Sequence, residues 1–346
     1  MKEAHGKRLF SVYLLAFAVS LGGGTALADF YVIPAASKAK RTVLASPTPG
    51  DPVKSGTNLL NALSGIMDSS ANNWYVLKIE PGVYDIGSST LQMKPYVDVE
   101  GSGEISTTII GNRAGYGTGV VSGAIQAELR FLSVKNIGGS STAIAIYYED
   151  VNQPRITHVS AWAEGATNCF AIYNNNSSPI MTHVTAVGAG QGVSNAYGIY
   201  NDGGAPTLID VNARASSASN NAFGVYNTGH SNVVMKNGSA RGILSGNWNY
   251  GVYNQVDSNM DLFGVEVLAY ASSGNGAWGV LNTSTGGNVY IDCCYVYGDT
   301  RSVRNDNQSS SVRIGASKLR GGVEGTVTCA CVYVDPFYTF YPDTCP

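Results

Sequence analysis

Apolar residues alternate with small or polar ones in short runs along most of the chain, and the runs recur. The pentapeptides FAIYN, YGIYN, FGVYN, YGVYN and WGVLN end at Asn174, Asn201, Asn227, Asn254 and Asn282, steps of 27, 26, 27 and 28 residues. Counting back by 26 from Ala171-Ile172-Tyr173 reaches Ala145-Ile146-Tyr147 and then Gly119-Val120-Val121, and a step of 23 beyond Asn282 reaches Asn305 in Ser302-Val303-Arg304-Asn305. About eight units are therefore in phase, which marks a repeat architecture. A second strand-like stretch lies between the pentapeptides: PRITHVSAW from Pro154, PIMTHVTAV from Pro179, PTLIDVNAR from Pro206, and further runs from Asn232, Asn259, Asn288 and Ser311. Each unit thus holds at least two short strands, bounded by Asn, Ser, Gly and Pro, and no 3.6-residue period supports a helical solenoid. The pattern predicts an all-β, single-stranded, right-handed parallel β-helix of about 26 residues per coil, a period longer than that of a left-handed hexapeptide helix.

Strand alternation assigns the faces. In YGIYN, Tyr197, Ile199 and Asn201 share one face and Gly198 and Tyr200 the other. With the aliphatic position inside, Ile146, Ile172, Ile199, Val225, Val252 and Val280 form an interior column, and Asn174, Asn201, Asn227, Asn254, Asn282 and Asn305 line an inward turn. A buried amide is costly unless paired, so these side chains are expected to bond to the coils above and below as an asparagine ladder. Tyr147, Tyr173, Tyr200, Tyr226 and Tyr253 then project outward in register beside the small residues Ala145, Ala171, Gly198, Gly224 and Gly251. That predicts an exposed aromatic strip along a shallow trough, the candidate contact surface for a sugar chain or a protein partner. The column His158, His183, Asp210 and Lys236 is read as a bend between two strands, since Asn, Asp and His tolerate a left-handed backbone.

On these residues the chain resembles the pectin-lyase-like superfamily of right-handed parallel β-helices. The resemblance is closest to pectin methylesterases in WYVLKIEPGVYDIGSSTLQM and YVDVEGSGEISTTIIG, preceded by a segment in which Thr57 caps a helix carrying Leu59, Leu60, Leu63, Ile66 and Met67. In that family such a helix plugs the open end of the barrel and shields an unpaired strand edge. The catalytic pattern is absent: a fragmentary QAELR at Gln126 to Arg130 is all that corresponds to pectin methylesterases, and no polygalacturonase-like Gly-His-Gly or Arg-Ile-Lys segment occurs. A lyase reading would use calcium-binding acids and a base. Asp202, Asp210, Asp257, Asp261 and Glu266 with Lys236 and Arg214 offer the residue types but no diagnostic spacing. The fold alone decides no chemistry.

Composition narrows the partners. The formal charge is −3, with 13% charged residues, and falls to about −5 once Met1 to Ala28 is removed. That segment reads as a secretory signal peptide, with Lys2, Lys7 and Arg8, an apolar run from Leu9 to Leu21, and Ala26-Leu27-Ala28 before Asp29. No basic cluster follows Arg41, so nucleic acid is excluded as a partner, as is membrane insertion after cleavage. Of 6 Cys, five (Cys293, Cys294, Cys329, Cys331 and Cys345) lie near the C-terminus and are expected to staple a cap in up to three disulfides, while Cys169 is expected to be buried alone. The expected organisation is a signal peptide (1–28), an N-terminal extension (29–56), the β-helix (57–328) and a Cys-rich, aromatic cap (329–346). The expected function is that of a secreted periplasmic, cell-surface or extracellular protein, non-catalytic and without metal or cofactor, that binds a polysaccharide or a surface partner. The alternatives are a polysaccharide lyase or glycoside hydrolase acting on an acidic glycan, the first of these with calcium, and a homotrimeric spike or fibre component.

Overall fold

The computed structural model describes residues 40–139, 141–190, 195–216, 219–271, 276–334, 339–342 and 344–346. The expected signal peptide lies outside the described residues.

Strands stack in parallel coil upon coil, in two hydrogen-bonded sheets of 19 and 10 strands. The larger sheet is folded into two faces. The crease is one left-handed residue per coil: Phe131, His158, His183, Asp210, Asn237, Gly264, Cys293, Ala316 and Cys331, with φ between +42° and +63°. Each coil therefore carries three strands, in keeping with the expected minimum of two. The long strands Asn152–Glu164 and Ser178–Ala189 each run through the crease, because a single αL residue turns the chain without breaking the ladder on either side. His158, His183 and Asp210 sit in the crease as expected. Lys236 does not: it pairs with Ile209 and Phe263 on the strand, and its neighbour Asn237 takes the bend, being the better residue for positive φ.

The pentapeptides form the second sheet, with Val121, Ile146, Ile172, Ile199, Val225, Val252, Val280 and Val303 in one fully buried register column. At the N-terminal end the pairing is Val121 with Ile146, one residue away from the 26-step count, which had placed Val120 there. The Asn ladder is present. Asn174 donates to Asn201 at 2.8 Å, Asn201 to Asn227 at 2.8 Å, Asn254 to Asn282 at 2.9 Å and Asn282 to Asn305 at 3.0 Å, all in the interior. It breaks once: Asn227 Nδ2 turns to Met260 Sδ at 3.3 Å, leaving Asn254 Oδ1 without a partner. Tyr148 occupies the rung before Asn174, its ring over Gly123, where a Cβ would lie 1.8 Å from it.

The capping helix spans Pro52–Ser64, one turn earlier than expected. Asp51 is its N-cap, accepting from the Lys54 amide at 2.9 Å, and Pro52 supplies the preset φ of the first turn. Leu59 and Leu63 are buried against the core, but Met67 lies past the helix end in solvent. Gly56 is required here, since a Cβ would sit 1.9 Å from the Asp85 carbonyl oxygen. The helix packs on Gly82–Asp85, which starts one face; the edge of the other face is covered by the strand Arg41–Ala45, paired with Tyr75–Ile79. Parallel stacking thus starts ahead of residue 57 and continues to Val332–Val334, past residue 328.

At the C-terminus one disulfide, Cys329–Cys345, forms; Cys293 and Cys331 are exposed thiols at the crease and Cys294 is buried, as is Cys169. Among the described residues of the cap, Thr339–Tyr341 pairs antiparallel with Val332–Val334, and Tyr333 and Phe340 meet at the surface with centroids 4.9 Å apart instead of covering the last coil; Phe337 and Tyr338 lie outside the described residues. Because coils contact only their neighbours, Cys345→Ser should loosen the end alone. Closing a loop of this length contributes about 3 kcal/mol. Hydrogen exchange is expected to rise in Val327–Ala330 and Thr339–Tyr341 and to stay unchanged in Asn195–Asp202.

Candidate functional site

Tyr147, Tyr173, Tyr200, Tyr226 and Tyr253 are in perfect register on the outside of the 10-stranded sheet. Their surroundings differ from simple alternation. The ladder skips Ala171, Gly198, Gly224 and Gly251, so each strand bulges at its small residue and two aromatic columns, not one, point outward. Phe170, Tyr197, Phe223, Tyr250 and Trp278 form the second column, although alternation had placed Tyr197 inside with Ile199. The glycines do not border a trough. They are buried where two sheets meet, and a Cβ on Gly198 or Gly224 would lie 2.7 Å from the Arg214 amide nitrogen or 2.4 Å from that of Arg241. Only a glycine permits that approach.

The two columns interlock. Phe170, Tyr197, Phe223, Tyr250 and Trp278 stack nearly parallel at 4.5 to 5.4 Å and are almost fully buried. The Tyr column packs across them edge-on, for example Tyr197 with Tyr200 at 5.2 Å and 86° and Phe223 with Tyr226 at 5.0 Å and 87°. Tyr147 is buried at 4% exposure, with Asn175 donating to its hydroxyl at 3.2 Å, so the accessible strip is Tyr173, Tyr200, Tyr226 and Tyr253, each half-buried. Alongside the hydroxyls runs a polar column, Asn175, Asp202 and Thr228 in register, followed by Gln255, whose amide donates to the Tyr226 hydroxyl. Burial pushes the Tyr173 phenol up to about 12. Burial, then the neighbouring phenols, raises Tyr200 and Tyr226 further, so these three tyrosines present neutral hydroxyls.

The weak acid and base candidates are not gathered into one site. Asp202 ends the strand Asn195–Asp202 beside the Tyr column. Asp210 is at the crease, 3.6 Å from His183 Nε2 and accepting from Asn237 at 3.1 Å. Asp257 lies on a different corner, between Trp248–Asn254 and Asn259–Phe263, taking a hydrogen bond from Thr285, and Lys236 is exposed on the larger sheet. The His158 and His183 rings stack on one another at 4.6 Å and 5°, which is a packing contact. Among the described residues no three or more His, Cys, Asp or Glu side chains come together to hold a metal ion.

Sequence reasoning passed over a charged cluster on the first coils. Arg130 binds Glu100 at 2.7 Å and Glu128 at 2.6 Å and lies 3.6 Å from Asp98; Lys78 meets Glu100 at 3.0 Å, and Lys40 pairs with Asp98. Asp98 and Glu128 are almost fully buried. Burial alone would raise Glu128 and Glu100, but the hydrogen bonds of Thr157 and Arg130 to the former, and of Arg130 and Lys78 to the latter, outweigh it and hold both below the usual carboxylate range. The available signal was the outward half of VDVE and ELRF, charged residues facing one another on adjacent coils.

By sequence, no family model fits the chain and no curated protein aligns with it. Solved structures do align. The gp42 tailspike of Acinetobacter phage vb_AbaP_AS12 covers 88% of this chain and 64% of its own at 13% identity, with a TM-score of 0.52. The Dettilon tailspike protein gp208 covers 85% and 61% at 11% identity, with the same TM-score of 0.52, so this chain spans less than two thirds of either tailspike. Pectin methylesterase from carrot covers 87% and 84% at 11% identity, with a TM-score of 0.37. At such identities the likeness is one of fold. Three-stranded parallel coils, an interior Asn ladder, a helix over the N-terminal end and the tailspike alignments together establish that the chain has a parallel β-helix fold.

Proposed function

We propose that the protein is secreted and binds a glycan at a cell surface or in a matrix, without cleaving it, through the strip Tyr173, Tyr200, Tyr226 and Tyr253. The observation that carries this is the strip's composition: flat rings repeated every coil at 4.7 to 5.1 Å, with a continuous border of hydroxyls and of Asn, Asp, Thr and Gln side chains. The rings, packed against one another, present their edges and hydroxyls along the surface, and with the polar border they offer apolar contact to a sugar's C–H groups and donors and acceptors to its hydroxyls. The strip is braced from behind by the buried aromatic column, so little side-chain entropy is lost on binding. Acid–base chemistry is disfavoured because Asp202 and Asp257 lie two coils apart on the turn after the pentapeptide strands, while Asp210 lies at the crease with Lys236 beside it, and Asp210 is engaged by His183 and Asn237.

Glycan-array binding of the full chain tests the reading. Tyr200→Ala with Tyr226→Ala is expected to lose about 2 kcal/mol per ring, together a drop in affinity of about 700-fold. Tyr200→Phe with Tyr226→Phe keeps the stack and should lose far less. Equal binding by wild type and the alanine pair, in a variant whose circular dichroism shows an intact fold, would reject the strip as the binding surface; release of reducing ends or unsaturated products from a bound polysaccharide would reject the non-catalytic reading.

A further inference from the structure

We propose that the first coils carry a second, separate ligand site: a pocket that binds one uncharged sugar unit, a chain end or a branch, between the Trp74 side chain and the paired carboxylates of Asp98 and Glu128. The pocket has a volume of about 340 Å³, at the lower end of what small-ligand sites occupy. It opens on the larger sheet, and none of the Tyr strip lines it.

Its floor is preorganised. Asp98, 2% exposed, is fixed by the Glu128 backbone amide at 3.0 Å and by Lys40, and Glu128 is fixed by Arg130 at 2.6 Å and by the Thr157 hydroxyl at 2.7 Å. An ionised carboxylate has about four acceptor positions, so each retains acceptor capacity beyond the bonds that anchor it. The wall is Trp74, held edge-on by Tyr96 at 5.2 Å and 73° and by the Lys40 ammonium 5.4 Å from its ring centroid. The rim is the pair Gln126 and Gln153, which hold left-handed backbones at φ +53° and +52°. Their amides are exposed, hydrogen-bond to no other described residue, and offer both donors and acceptors to the opening.

The occupant follows from this inventory. Acceptors on the floor, the Lys40 and Arg155 donors beside them, mixed donors and acceptors on the rim and the Trp74 wall fit a ring whose edge is all hydroxyl. Within the lining, Lys40 and Arg155 offset Asp98 and Glu128, while Arg130 and Lys78 are engaged by Glu100, so the site has little net field with which to select an anion, and a uronate would bring its own carboxylate towards Asp98 and Glu128. Against its burial, Glu128 is held as a carboxylate by Thr157 and Arg130, so it is a poor general acid, and binding rather than hydrolysis is the expected outcome.

Calorimetric titration of the full chain with cellotetraose, maltotetraose, mannotetraose and tetragalacturonate provides the test, repeated on Gln126→Ala/Gln153→Ala, on Tyr200→Ala/Tyr226→Ala and on the two pairs combined. At least one neutral oligosaccharide should bind, and the binding that remains in the tyrosine pair should fall tenfold or more when the glutamine pair, whose side chains are exposed, is added to it. Binding of tetragalacturonate alone, no binding of any neutral probe, or neutral binding in the tyrosine pair that survives the added loss of both glutamines would overturn the pocket. Neutral binding that is lost in the tyrosine pair and kept in the glutamine pair would overturn it too, and would leave the strip as the glycan site.

Discussion

Asn201→Ala is expected to destabilise the protein by about 2–5 kcal/mol, and Asn174→Ala by about half as much. Asn201 is an interior rung: its amide donates to Asn227 and its carbonyl accepts from Asn174, both at 2.8 Å, and the side chain is completely buried. Truncation leaves a donor on one neighbour and an acceptor on the other unpaired in a dry interior, at about 1–3 kcal/mol each, and opens a small void. Asn174 is a terminal rung whose Oδ1 already lacks a partner, since Tyr148 occupies the next coil, so its removal orphans one atom only. Urea denaturation of the three proteins, followed by circular dichroism, gives the comparison. Equal costs at the two positions would show that the rungs act as isolated amides and not as a ladder. The break at Asn227 does not spare Asn254: its Oδ1 has no partner, but its amide donates to Asn282 at 2.9 Å and to the Ser258 carbonyl at 2.6 Å, so Asn254→Ala also orphans two buried atoms and should cost about as much as Asn201→Ala.

The ladder was legible because its cause is local and repeated. An Asn two residues after each aliphatic core position can only point inward if the strand alternates, and alternation held from Ile199 to Asn201 in every coil. It failed on the other side of the same aliphatic residue. Tyr197 looks inward by counting, yet the bulge at Gly198 turns it outward, and nothing within YGIYN announces a bulge except the glycine itself. The reason lies across the barrel: the Gly198 position abuts the Arg214 backbone, a contact between strands whose approach the sequence does not state. The crease shows the same limit. His158, His183 and Asp210 suggested a bend, but Phe131, Cys293, Ala316 and Cys331 take the same left-handed conformation, which their side chains do not favour in isolation. There the geometry of neighbouring coils imposes the turn, and stacking of Phe131 on His158 at 5.3 Å helps offset its strain.

The binding surfaces divide along the same line. Register alone placed the five tyrosines side by side, so the strip was readable, but its degree of exposure depended on the second aromatic column and on Asn175 over Tyr147. The charged pocket needed the first two coils to be aligned, and there the repeat had drifted out of phase: Asp98 and Glu128 are 30 residues apart, not 26. A motif search keyed to the dominant period passes over contacts made across an irregular coil.

The protein is expected to unfold in alkali, losing about 3–5 kcal/mol of stability by about pH 11, because the aromatic columns hold their phenols neutral. Desolvation pushes Tyr173 up to about 12 and raises Tyr197, Tyr200, Tyr226 and Tyr250 beyond it. In the unfolded chain the same phenols ionise near about 10. Above that pH the unfolded state binds fewer protons than the native state, so stability, fully present below about pH 10, falls as pH rises towards and through the folded values. Each phenol contributes at most about 1.4 kcal/mol per pH unit, and the half-exposed ones less because water screens them, which is why the total is set below five full contributions. Phenolate absorbance and circular dichroism recorded on one alkaline titration should change together, since a strip tyrosine ionises only when its column opens. Tyr200→Phe removes one ionisable group while keeping the stacked ring, and should shift the transition to higher pH. If the phenolate signal instead appeared near pH 10 with the circular dichroism of the native coils intact, the columns would be open to water, and neither their packing nor the neutral hydroxyls of Tyr173, Tyr200 and Tyr226 could be as described.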